Sequence, residues 1–529
     1  MIKKNSSLFL FLLFLYSIFC ALQLGVTWDT FFYYELGKDR LDYLLTLGND
    51  ESFKKIPHGK YLPGAYSTIS AFFIQFFPKA FIVEALYFFN LIFSFLTVVG
   101  IYKISKYLFN KEIGRITFLI CFFNPIFFGH MAMNHNDTIV SFANIWFFYL
   151  LLKYFKKQNN GYKQNKYIFL SGICLGLGLG VRSSFLVTIF PILIFVAINS
   201  FFSKSLFIKN FSLKKFVLDT LKVFLIAYLF MVLFWPHTHS NIFVIPFQLA
   251  LEGLSYGFGV PFIMLNGEFF LTNEFPKNYL FKNLFFKTPE FIILSYLIFL
   301  FLFKKISEQF NALFGDFYNK IFLIFFVILF PNFLLLLSPY SPYDGVRFFL
   351  YLIPYISIIP AILFFFILKN LKSFFNKLIF SSLLFFTFLA LFNFFYLTPY
   401  HYVYLNTFAG KTTYHSLKFE NDYWGVSTKK LISKIEKNLA EFSNIPVKFA
   451  TCGIEEKAQI TYLKKVKSLN FKMVKNSDDY DFIIMNNRVP FDQEKDLTRI
   501  KTCFQKFQGV DIIKIKARDL VISKIVRKE

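Results

Sequence analysis

The sequence predicts an α-helical polytopic membrane protein with a small α/β domain at its C-terminal end. Hydrophobic residues make up 56% of the 529 residues and charged residues only 17%, whereas a soluble domain has about 25% charged residues. The 22% content of aromatic residues excludes a disordered chain. Apolar runs follow one another up to residue 398, and the pattern becomes mixed from 399 onward. We therefore expect a membrane domain over 1–398 and an extracytoplasmic region over 399–529.

Eleven apolar runs predict the membrane helices. Several are shorter than the ~20 residues that cross a bilayer, so we expect those helices to extend into the flanking residues. The apolar segment 61–77 is short and interrupted by Pro, and we expect it to lie at the membrane surface or to re-enter the membrane. The eleven runs lie near 8–24, 80–102, 116–133, 138–152, 167–181, 184–201, 217–235, 290–303, 321–337, 348–368 and 378–397.

The distribution of basic residues predicts the orientation of these helices. With the N-terminus inside, the cytoplasmic loops hold 22 Lys and Arg against 4 acids, and the opposite loops hold 11 against 11. Because basic loops stay on the cytoplasmic side, this predicts N-terminus inside and C-terminus outside. Topology thus accounts for most of the net charge of +25, and we expect no nucleic-acid partner. The first run has no small-residue cleavage site after it, so we expect an uncleaved span.

The C-terminal region has the pattern of an α/β domain that begins at about residue 427. A helix is predicted near 427–442, and strands near 447–452, 480–486 and 510–526, the last long enough for a hairpin. Two cysteines, Cys452 and Cys503, lie in this region, and the other three lie in apolar runs. The sequence leaves open whether these two form a disulfide.

Polar residues collect in the loops that this topology places outside, mainly the long loops 25–79 and 237–289. We interpret their presence on one side as a composite site at the outer membrane face. The candidate residues are Asp29, His58 and Tyr61 in the first loop, His135 and Asp137 in a short turn, Arg182 in another, Lys277 in the second long loop, and Asp344 and Arg347 in the sequence YDGVR.

Each candidate also has a simpler interpretation. An acid at a helix start, such as Asp137, often caps that helix, and Arg182 at a span end can face lipid headgroups. The aromatic residues around Asp29 can form an interfacial belt. His237 and His239 suggest a metal site, but no third ligand is near them in sequence. Arg347 in YDGVR is harder to assign to a helix end, and a phosphate or carboxylate partner is an equally good interpretation of it.

Several features resemble those of a known enzyme class. Three of them are WDTFFYY from Trp28, the acid Asp137 in the second outer turn, and the long outer loop that ends in KTP. Bacterial members of the class share three further patterns, here YDGVRFFLYLIP from Tyr343, HYVYLN from His401 and FENDYWG from Phe419. In this order they resemble the membrane glycosyltransferases of the GT-C fold, and in particular bacterial relatives of the protein O-mannosyltransferases (glycosyltransferase family 39 and the lipid A aminoarabinose transferase group). The resemblance covers about residues 1–430.

The resemblance implies a role for individual residues. Asp29 would be the general base, although the family often has Asp-Glu where this chain has Asp29-Thr30. Asp137 would organise the acceptor or the base, and Arg347 would face the phosphate of the donor. His58 lies in HGKYLPG, which resembles a His-x-x-Tyr-Pro-Pro element with Leu62 at the first Pro position. Together with the polar clusters of the outer loops, this gives the residues expected to bind substrate, which are His58, Tyr61, His135, Arg182, Lys277, Asp344 and Arg347.

These roles fit sugar transfer from a polyprenyl-phosphate donor to a glycan, lipid or protein acceptor at the outer face of a bacterial inner membrane. A carboxylate takes the acceptor proton, and cations stabilise the departing phosphate. One base and a phosphate leaving group imply inversion. We expect no cofactor and no metal, and the protein's other partner is the lipid bilayer. A transporter or flippase of lipid-linked sugars, a non-catalytic scaffold, and a polysaccharide ligase or polymerase remain alternatives.

Overall fold

The computed structural model describes residues 2–158, 161–202, 211–255, 260–337, 341–438, 446–466, 469–491 and 496–529. Its N-terminal part is helical, and every predicted apolar run coincides with one helix or two consecutive helices. The helices are α1 (Ile2–Gln23), α2 (Thr30–Leu45), α3 (Ala65–Ile74), α4 (Ile82–Leu108), α5 (Lys111–Phe122), α6 (Pro125–His130), α7 (Asp137–Lys157), α8 (Gly161–Leu179), α9 (Phe185–Phe202), α10 (Leu213–Leu233), α11 (Ile245–Ser255), α12 (Tyr279–Lys287), α13 (Glu290–Phe301), α14 (Phe303–Phe314), α15 (Phe317–Leu337), α16 (Leu352–Ile356), α17 (Ile358–Lys369) and α18 (Phe374–Tyr396).

Fewer helices are long enough to cross a membrane than the eleven spans that the sequence predicts. Among the described residues, six helical stretches are long and apolar enough to cross a membrane, and the pair α12–α13, bent by 109°, can add a seventh. Helix α13 has 12 residues and is about 18 Å long, which is less than the bilayer core. The prediction of eleven spans therefore stays a prediction, whereas the polytopic helical class is confirmed.

The helices differ in how deeply they are buried in the bundle. The most apolar part of α7 is 78% buried and that of the α16–α17 stretch is 83% buried, whereas those of α10 and α18 are only 28% and 17% buried. Helices α7, α16 and α17 thus form the centre, and α10 and α18 present apolar side chains outward. This is the arrangement expected when lipid replaces water around the protein.

Helices α8 and α10 pack closely because α8 carries two glycines on one face. A methyl group added at Gly172 would lie 2.7 Å from the side chain of Ile226, and one at Gly176 would lie 2.8 Å from that of Phe230. The four-residue spacing of small residues is typical of close helix contacts in membranes.

The loops on the side of Asp29 contain their own short elements. Helix α3 occupies the Pro-interrupted segment 61–77 and has ten residues, too few to cross the bilayer. The loop 237–289 contains α11, α12 and an antiparallel hairpin of β1 (Phe262–Leu265) and β2 (Glu268–Leu271). Its turn residues Asn266 and Gly267 both have positive φ, as a two-residue turn of this hairpin type requires.

The C-terminal region contains the predicted sheet. Its strands are β3 (Val447–Cys452), β4 (Phe471–Met473), β5 (Phe482–Asn486), β6 (Val510–Ala517) and β7 (Leu520–Arg527), in the order β4-β3-β5-β7-β6. The strands β4, β3 and β5 are parallel, and β6 and β7 form the hairpin predicted over 510–526. The helices of the region are α19 (Thr428–Ile432), α20 (Ile435–Asn438), α21 (Glu456–Leu463) and α22 (Cys503–Lys506).

A disulfide and a set of buried hydrogen bonds stabilise this region. Cys452 and Cys503 form a disulfide between the end of β3 and the start of α22, which settles the pairing that the sequence left open. The buried carboxylate of Asp422 accepts hydrogen bonds from the hydroxyl of Tyr402 and from the amides of Val426 and Ser427. The sheet is attached to this segment because the side-chain amide of Asn486 in β5 donates to the carbonyl of Asp422.

Candidate active site

Arg347 is the centre of a charged cluster that joins four separate segments of the chain. Its Nη1 lies 2.8 Å from Oδ2 of Asp344, its Nε lies 3.7 Å from Oδ2 of Asp137, and its Nη2 lies 3.8 Å from Oδ2 of Asp29. Arg182 lies at the other side of Asp137, with Nη2 2.8 Å from Oδ1. The structure therefore brings together five of the nine residues that the sequence selected.

Local backbone structure places each of these side chains. Asp29 is the residue before α2, and its side chain makes no capping hydrogen bond. Asp137 is the first residue of α7, and Arg182 lies in the turn between α8 and α9. Asp344 and the following Gly345 both have positive φ, so the chain reverses sharply there before the short helical turn that begins at Arg347.

Asp137 does not cap its own helix, which was the simpler interpretation. Its carboxylate contacts Arg182 and Arg347 and accepts a hydrogen bond of 3.1 Å from the side-chain amide of Asn134. The residue is only 3% exposed. A carboxylate so deeply buried needs such partners, and here it holds two arginines at fixed positions.

Asp29 differs from the other two aspartates in its access to solvent. Its side chain is 36% exposed, compared with 3% for Asp137 and none for Asp344. The surrounding protein still desolvates the carboxylate and raises the pKa of Asp29 above its ordinary value, and the positive charge of Arg347 opposes this rise. Asp29 is therefore the most accessible of the three carboxylates to an incoming molecule.

The C-terminal region completes the cluster with Arg488, which follows β5. Its Nη2 lies 3.3 Å from Oδ1 of Asp344, and its Nη1 donates to the carbonyl of Tyr423. Asp344 thus has an arginine at each oxygen, and Arg488 links the sheet to the membrane domain. Trp28 adds a second link, since its ring nitrogen donates to the carbonyl of Gly453 at 3.1 Å.

Lys287, at the end of α12, adds a further cation. A methyl group added at Gly345 would lie 2.2 Å from Nζ of Lys287, so the ammonium group lies directly against the Asp344 turn. Burial lowers the pKa of Lys287 to about 8, and the nearby Asp344 and Glu420 limit the decrease. Burial also raises the pKa of Glu420 to about 7.

Aromatic rings surround the arginines. The guanidinium carbon of Arg347 lies 4.9 Å from the ring centre of Tyr343, 4.8 Å from that of Phe348 and 5.2 Å from that of Trp424. That of Arg182 lies 4.6 Å from Phe348. These cation–π contacts stabilise the side-chain positions.

Three predicted residues lie in other surroundings. His58 is exposed in a turn with positive φ, and Tyr61 lies under the ammonium group of Lys60. Their loop is held by buried Arg40, which donates to the carbonyls of Gly59, Leu62 and Pro63. Nζ of Lys277 lies 3.4 Å from the carbonyl oxygen of Leu335 at the end of α15.

His135 is buried two residues before Asp137, and neither of its ring nitrogens has a hydrogen-bond partner among the described residues. The residue is 6% exposed, and its ring packs against that of Tyr87, with 5.7 Å between the ring centres. Burial lowers the pKa of His135 to about 4, so the ring is neutral near pH 7.

The histidines considered for a metal have other contacts. His237 Nδ1 lies 3.4 Å from Nη2 of Arg40, and His239 Nε2 lies 2.9 Å from the carbonyl oxygen of Val232. Within the described part of the chain, no group of three His, Cys, Asp or Glu residues is arranged to hold a metal ion.

The sequence did not single out Lys287, Glu420 and Arg488 as site residues. Lys287 belongs to the KTP sequence that ends the long loop, and Glu420 belongs to the FENDYWG motif, so these motifs gave a usable signal. Arg488 lies in a region with no recognised motif, 144 residues after Asp344, and only the fold brings the two together.

Comparison with known proteins agrees with this architecture. Residues 67–239, about a third of the chain, match the family described as dolichyl-phosphate-mannose-protein mannosyltransferase. No curated protein sequence matches the chain. The crystal structure of ArnT from Cupriavidus metallidurans in the apo state is similar with a TM-score of 0.51 and 9% identity, over 99% of this chain and 98% of that chain.

Two further structures are similar at lower scores. ArnT from the same organism bound to undecaprenyl phosphate has a TM-score of 0.49 and 8% identity, over 99% of this chain and 98% of that chain. The oligosaccharyltransferase of Archaeoglobus fulgidus in the apo form has a TM-score of 0.47 and 12% identity, over 90% of this chain and 69% of that chain. The family match over residues 67–239 and the apo ArnT structure, with its TM-score of 0.51, show that the chain has the GT-C fold and resembles the membrane glycosyltransferases, as its motifs predicted.

Proposed function

We propose that the protein transfers a sugar from a polyprenyl-phosphate donor to a hydroxyl group of an envelope acceptor. The observation that carries this proposal is the convergence of a solvent-accessible carboxylate, Asp29, with the buried guanidinium group of Arg347. Sugar transfer from a lipid phosphate needs both groups in one site, the base toward the acceptor and the cation toward the phosphate. The base receives the acceptor proton, and the cation stabilises the phosphate that departs.

Asp29 is the proposed general base. Of the three clustered aspartates it is the most exposed, and its raised pKa makes it a better proton acceptor than an ordinary carboxylate. The carboxylates of Asp137 and Asp344 are buried and paired with arginines. We assign these two a positioning role, since each holds Arg347 from a different side.

Arg347, Arg182 and Lys287 are the proposed phosphate ligands. Two of the three contacts of Arg347 to carboxylates are longer than 3.5 Å, and its Nε has no hydrogen-bond partner among the described residues. The guanidinium group can therefore exchange these weak contacts for strong ones to phosphate oxygens. Because attack by the hydroxyl and departure of the phosphate occur on opposite faces of the sugar, a single displacement inverts the anomeric carbon.

The site is proposed to lie outside the cytoplasm, with eleven spans, the N-terminus inside and the C-terminal region outside. The disulfide between Cys452 and Cys503 supports this orientation, because disulfides persist in oxidising compartments. The division into a membrane domain over 1–398 and an outer region over 399–529 belongs to the same proposal. A bacterial inner membrane is the proposed location.

The donor and acceptor are proposed at the level of chemical class. The matching family is described by a lipid-phosphate-linked mannose donor, which supports a polyprenyl-phosphate sugar. A glycan, lipid or protein can provide the hydroxyl group. His58, Tyr61, His135 and Lys277 stay predictions as substrate-binding residues.

Transfer of labelled sugar in membranes tests this function. Wild-type protein, Asp29→Asn and Asp42→Asn are compared with several polyprenyl-phosphate donors. Asp42 is on the same helix, about 20 Å further along the axis. We expect Asp29→Asn to lower the transfer rate by about 10²-fold or more, with donor binding retained, and Asp42→Asn to leave it unchanged.

The other outcomes separate the alternatives. Equal transfer by wild type and Asp29→Asn would remove Asp29 from catalysis and direct attention to Asp137. Donor binding without transfer by any of the three proteins would favour a transporter or a scaffold.

A further inference from the structure

A pocket lined by lysines lies at the end of the bundle opposite to the Arg347 cluster. Helix α7 begins with Asp137 in the cluster, and its Lys153 is about 24 Å further along the axis. The pocket has a volume of about 620 Å³. Five lysines line it, namely Lys103 and Lys106 from α4, Lys153 and Lys156 from α7, and Lys320 from α15.

Aromatic side chains hold these lysines in the pocket. Nζ of Lys103 lies 4.7 Å from the ring centre of Trp146 and 5.6 Å from that of Tyr149, and Nζ of Lys153 lies 5.4 Å from Tyr149 and 5.1 Å from Tyr107. Lys103 and Lys153 thus lie close to the ring of the same tyrosine, and their like charges repel each other.

No carboxylate within the described ranges forms an ion pair with any of the five lysines. By contrast, the four acidic side chains of the Arg347 cluster balance its four cations. The negative charge of Asp316 acts on Lys320, but the five lysines still give the pocket an excess of positive charge, and the pocket has room for an anion.

Membrane orientation and helix dipoles explain the positions of only some of the five lysines. Lysines near the C-terminal ends of α4 and α7 are favourable for the helix dipoles and for orientation. Lys320 is different, because it lies in the first turn of α15, where a cation is unfavourable. It is only 9% exposed, and its Nζ donates to the carbonyl of Phe314. Phe314 is the last residue of α14, so this hydrogen bond holds Lys320 in place, and Lys320 adds a fifth positive charge to the pocket.

We propose that this lysine pocket binds the phosphate group of an anionic membrane lipid. Phosphate matches the chemistry of clustered ammonium and tyrosine hydroxyl groups, and basic pockets between membrane helices are typical sites for such headgroups. A lipid rather than a soluble phosphate is favoured because Phe88 and Leu96, earlier on α4, are exposed apolar residues. Leu96 lies about 10 Å and Phe88 about 22 Å before Lys103 along the helix axis, so the acyl chains of a lipid bound at the lysines would run along this apolar surface of α4.

Binding to the purified full-length protein in detergent tests this proposal. The probes are dioleoyl phosphatidylglycerol, dioleoyl phosphatidylcholine and inorganic diphosphate, and the readouts are retained lipid in native mass spectrometry and the shift in Tm. The test variant is Lys103→Gln/Lys153→Gln. The control is Lys304→Gln/Lys305→Gln, two exposed lysines of α14 outside the pocket.

We expect phosphatidylglycerol to bind the wild type and the control at least about tenfold more tightly than phosphatidylcholine. The pocket variant should lose this preference and keep the wild-type Tm in lipid-free detergent. If that variant does not fold, Lys106→Gln/Lys156→Gln replaces it, since both side chains are exposed. Retained preference in a folded pocket variant would overturn the proposal. Diphosphate binding that is as tight as lipid binding would overturn the lipid assignment.

Discussion

Individual side chains in the charged cluster differ in burial, and burial decides what each can do. Asp344 has an arginine at both carboxylate oxygens and no exposure, so its charge is already used within the protein. Asp29 has one long contact to Arg347 and remains open to solvent. A single cluster can therefore contain both a rigid support and a reactive carboxylate, because desolvation and pairing act on each residue separately.

The pH dependence of transfer follows from two of these residues. Transfer should rise with pH as Asp29 loses its proton, through a pKa above that of an ordinary aspartate. It should fall above about pH 8, because the ammonium group of Lys287 loses its charge there and no longer binds phosphate. Lys287→Arg should remove this fall, since a guanidinium group stays charged.

The measurement is the pH profile of transfer at saturating donor for wild type, Lys287→Arg and Lys282→Arg. Lys282 is on the same helix, α12, outside the cluster, and its variant should keep the wild-type profile. A fall near pH 8 that persists in Lys287→Arg would assign the basic limb to another group.

At the scale of secondary-structure elements, the close contact of α8 and α10 depends on glycine. Gly176→Leu would force its side chain into Phe230 and Ala227 and separate the helices. Overpacking of this kind costs about 1–3 kcal/mol, so we expect a lower Tm in detergent. Gly161→Leu, at the start of α8 with nothing within 4 Å of an added methyl group, is the control. Equal Tm values for the two variants would show that this contact tolerates separation.

The segment after β5 gives a second prediction about a secondary-structure element, since it carries Arg488. Arg488→Gln removes one of the two partners of the buried Asp344 carboxylate, and an undercompensated buried group costs about 1–3 kcal/mol. We expect sugar transfer to fall by roughly tenfold, since Arg347 is then drawn toward Asp344. Arg499→Gln, which removes a pair between two residues of one exposed segment, should have no effect on transfer. Unchanged transfer in Arg488→Gln would show that the C-terminal sheet contributes no functional residue to the site.

Most helices and strands could be predicted from the sequence, whereas the points at which a predicted helix is interrupted could be predicted only in part. The run 116–133 is two helices because Asn124 caps the second through the amides of Ile126 and Phe127, and Pro125 begins it; an Asn-Pro pair is a usable signal. The predicted helix 427–442 is interrupted in its described part. There the hydroxyl of Ser433 donates to the carbonyl of Lys430, and such a bond competes with the helix.

The geometry of the site could not be predicted in the same way. Sequence reasoning selected Asp29, Asp137 and Arg347 because polar residues at apolar boundaries are conspicuous. The same reasoning selected Lys277 and missed Lys287, although both lie in the loop 237–289. Lys287 reaches the cluster because it lies at the end of α12, where the chain bends by 109° into α13. A contact such as Arg488 to Asp344 depends on the docking of two regions, and local patterns carry no information on it.

For the whole molecule, the orientation of the bundle connects the two proposed sites. The Arg347 cluster and the lysine pocket lie at opposite ends of α7, so one of them faces the cytoplasm whenever the other faces outward. The predicted topology places the lysine pocket inside. The disulfide of the C-terminal sheet and the basic residues of the short loops are independent features, and both favour that orientation.

Fusions to alkaline phosphatase test this orientation, because the enzyme needs disulfides that form only outside the cytoplasm. A fusion after Glu529 should be active, and a fusion after Lys157, at the end of α7, should be inactive. A cytoplasmic β-galactosidase fused at the same two positions should give the reverse pattern. Phosphatase activity after Lys157 alone would mean that the lysine pocket is outside and the Arg347 cluster inside. Transfer to an envelope acceptor would then be excluded, whereas the fold and the contacts of Asp29 would stand.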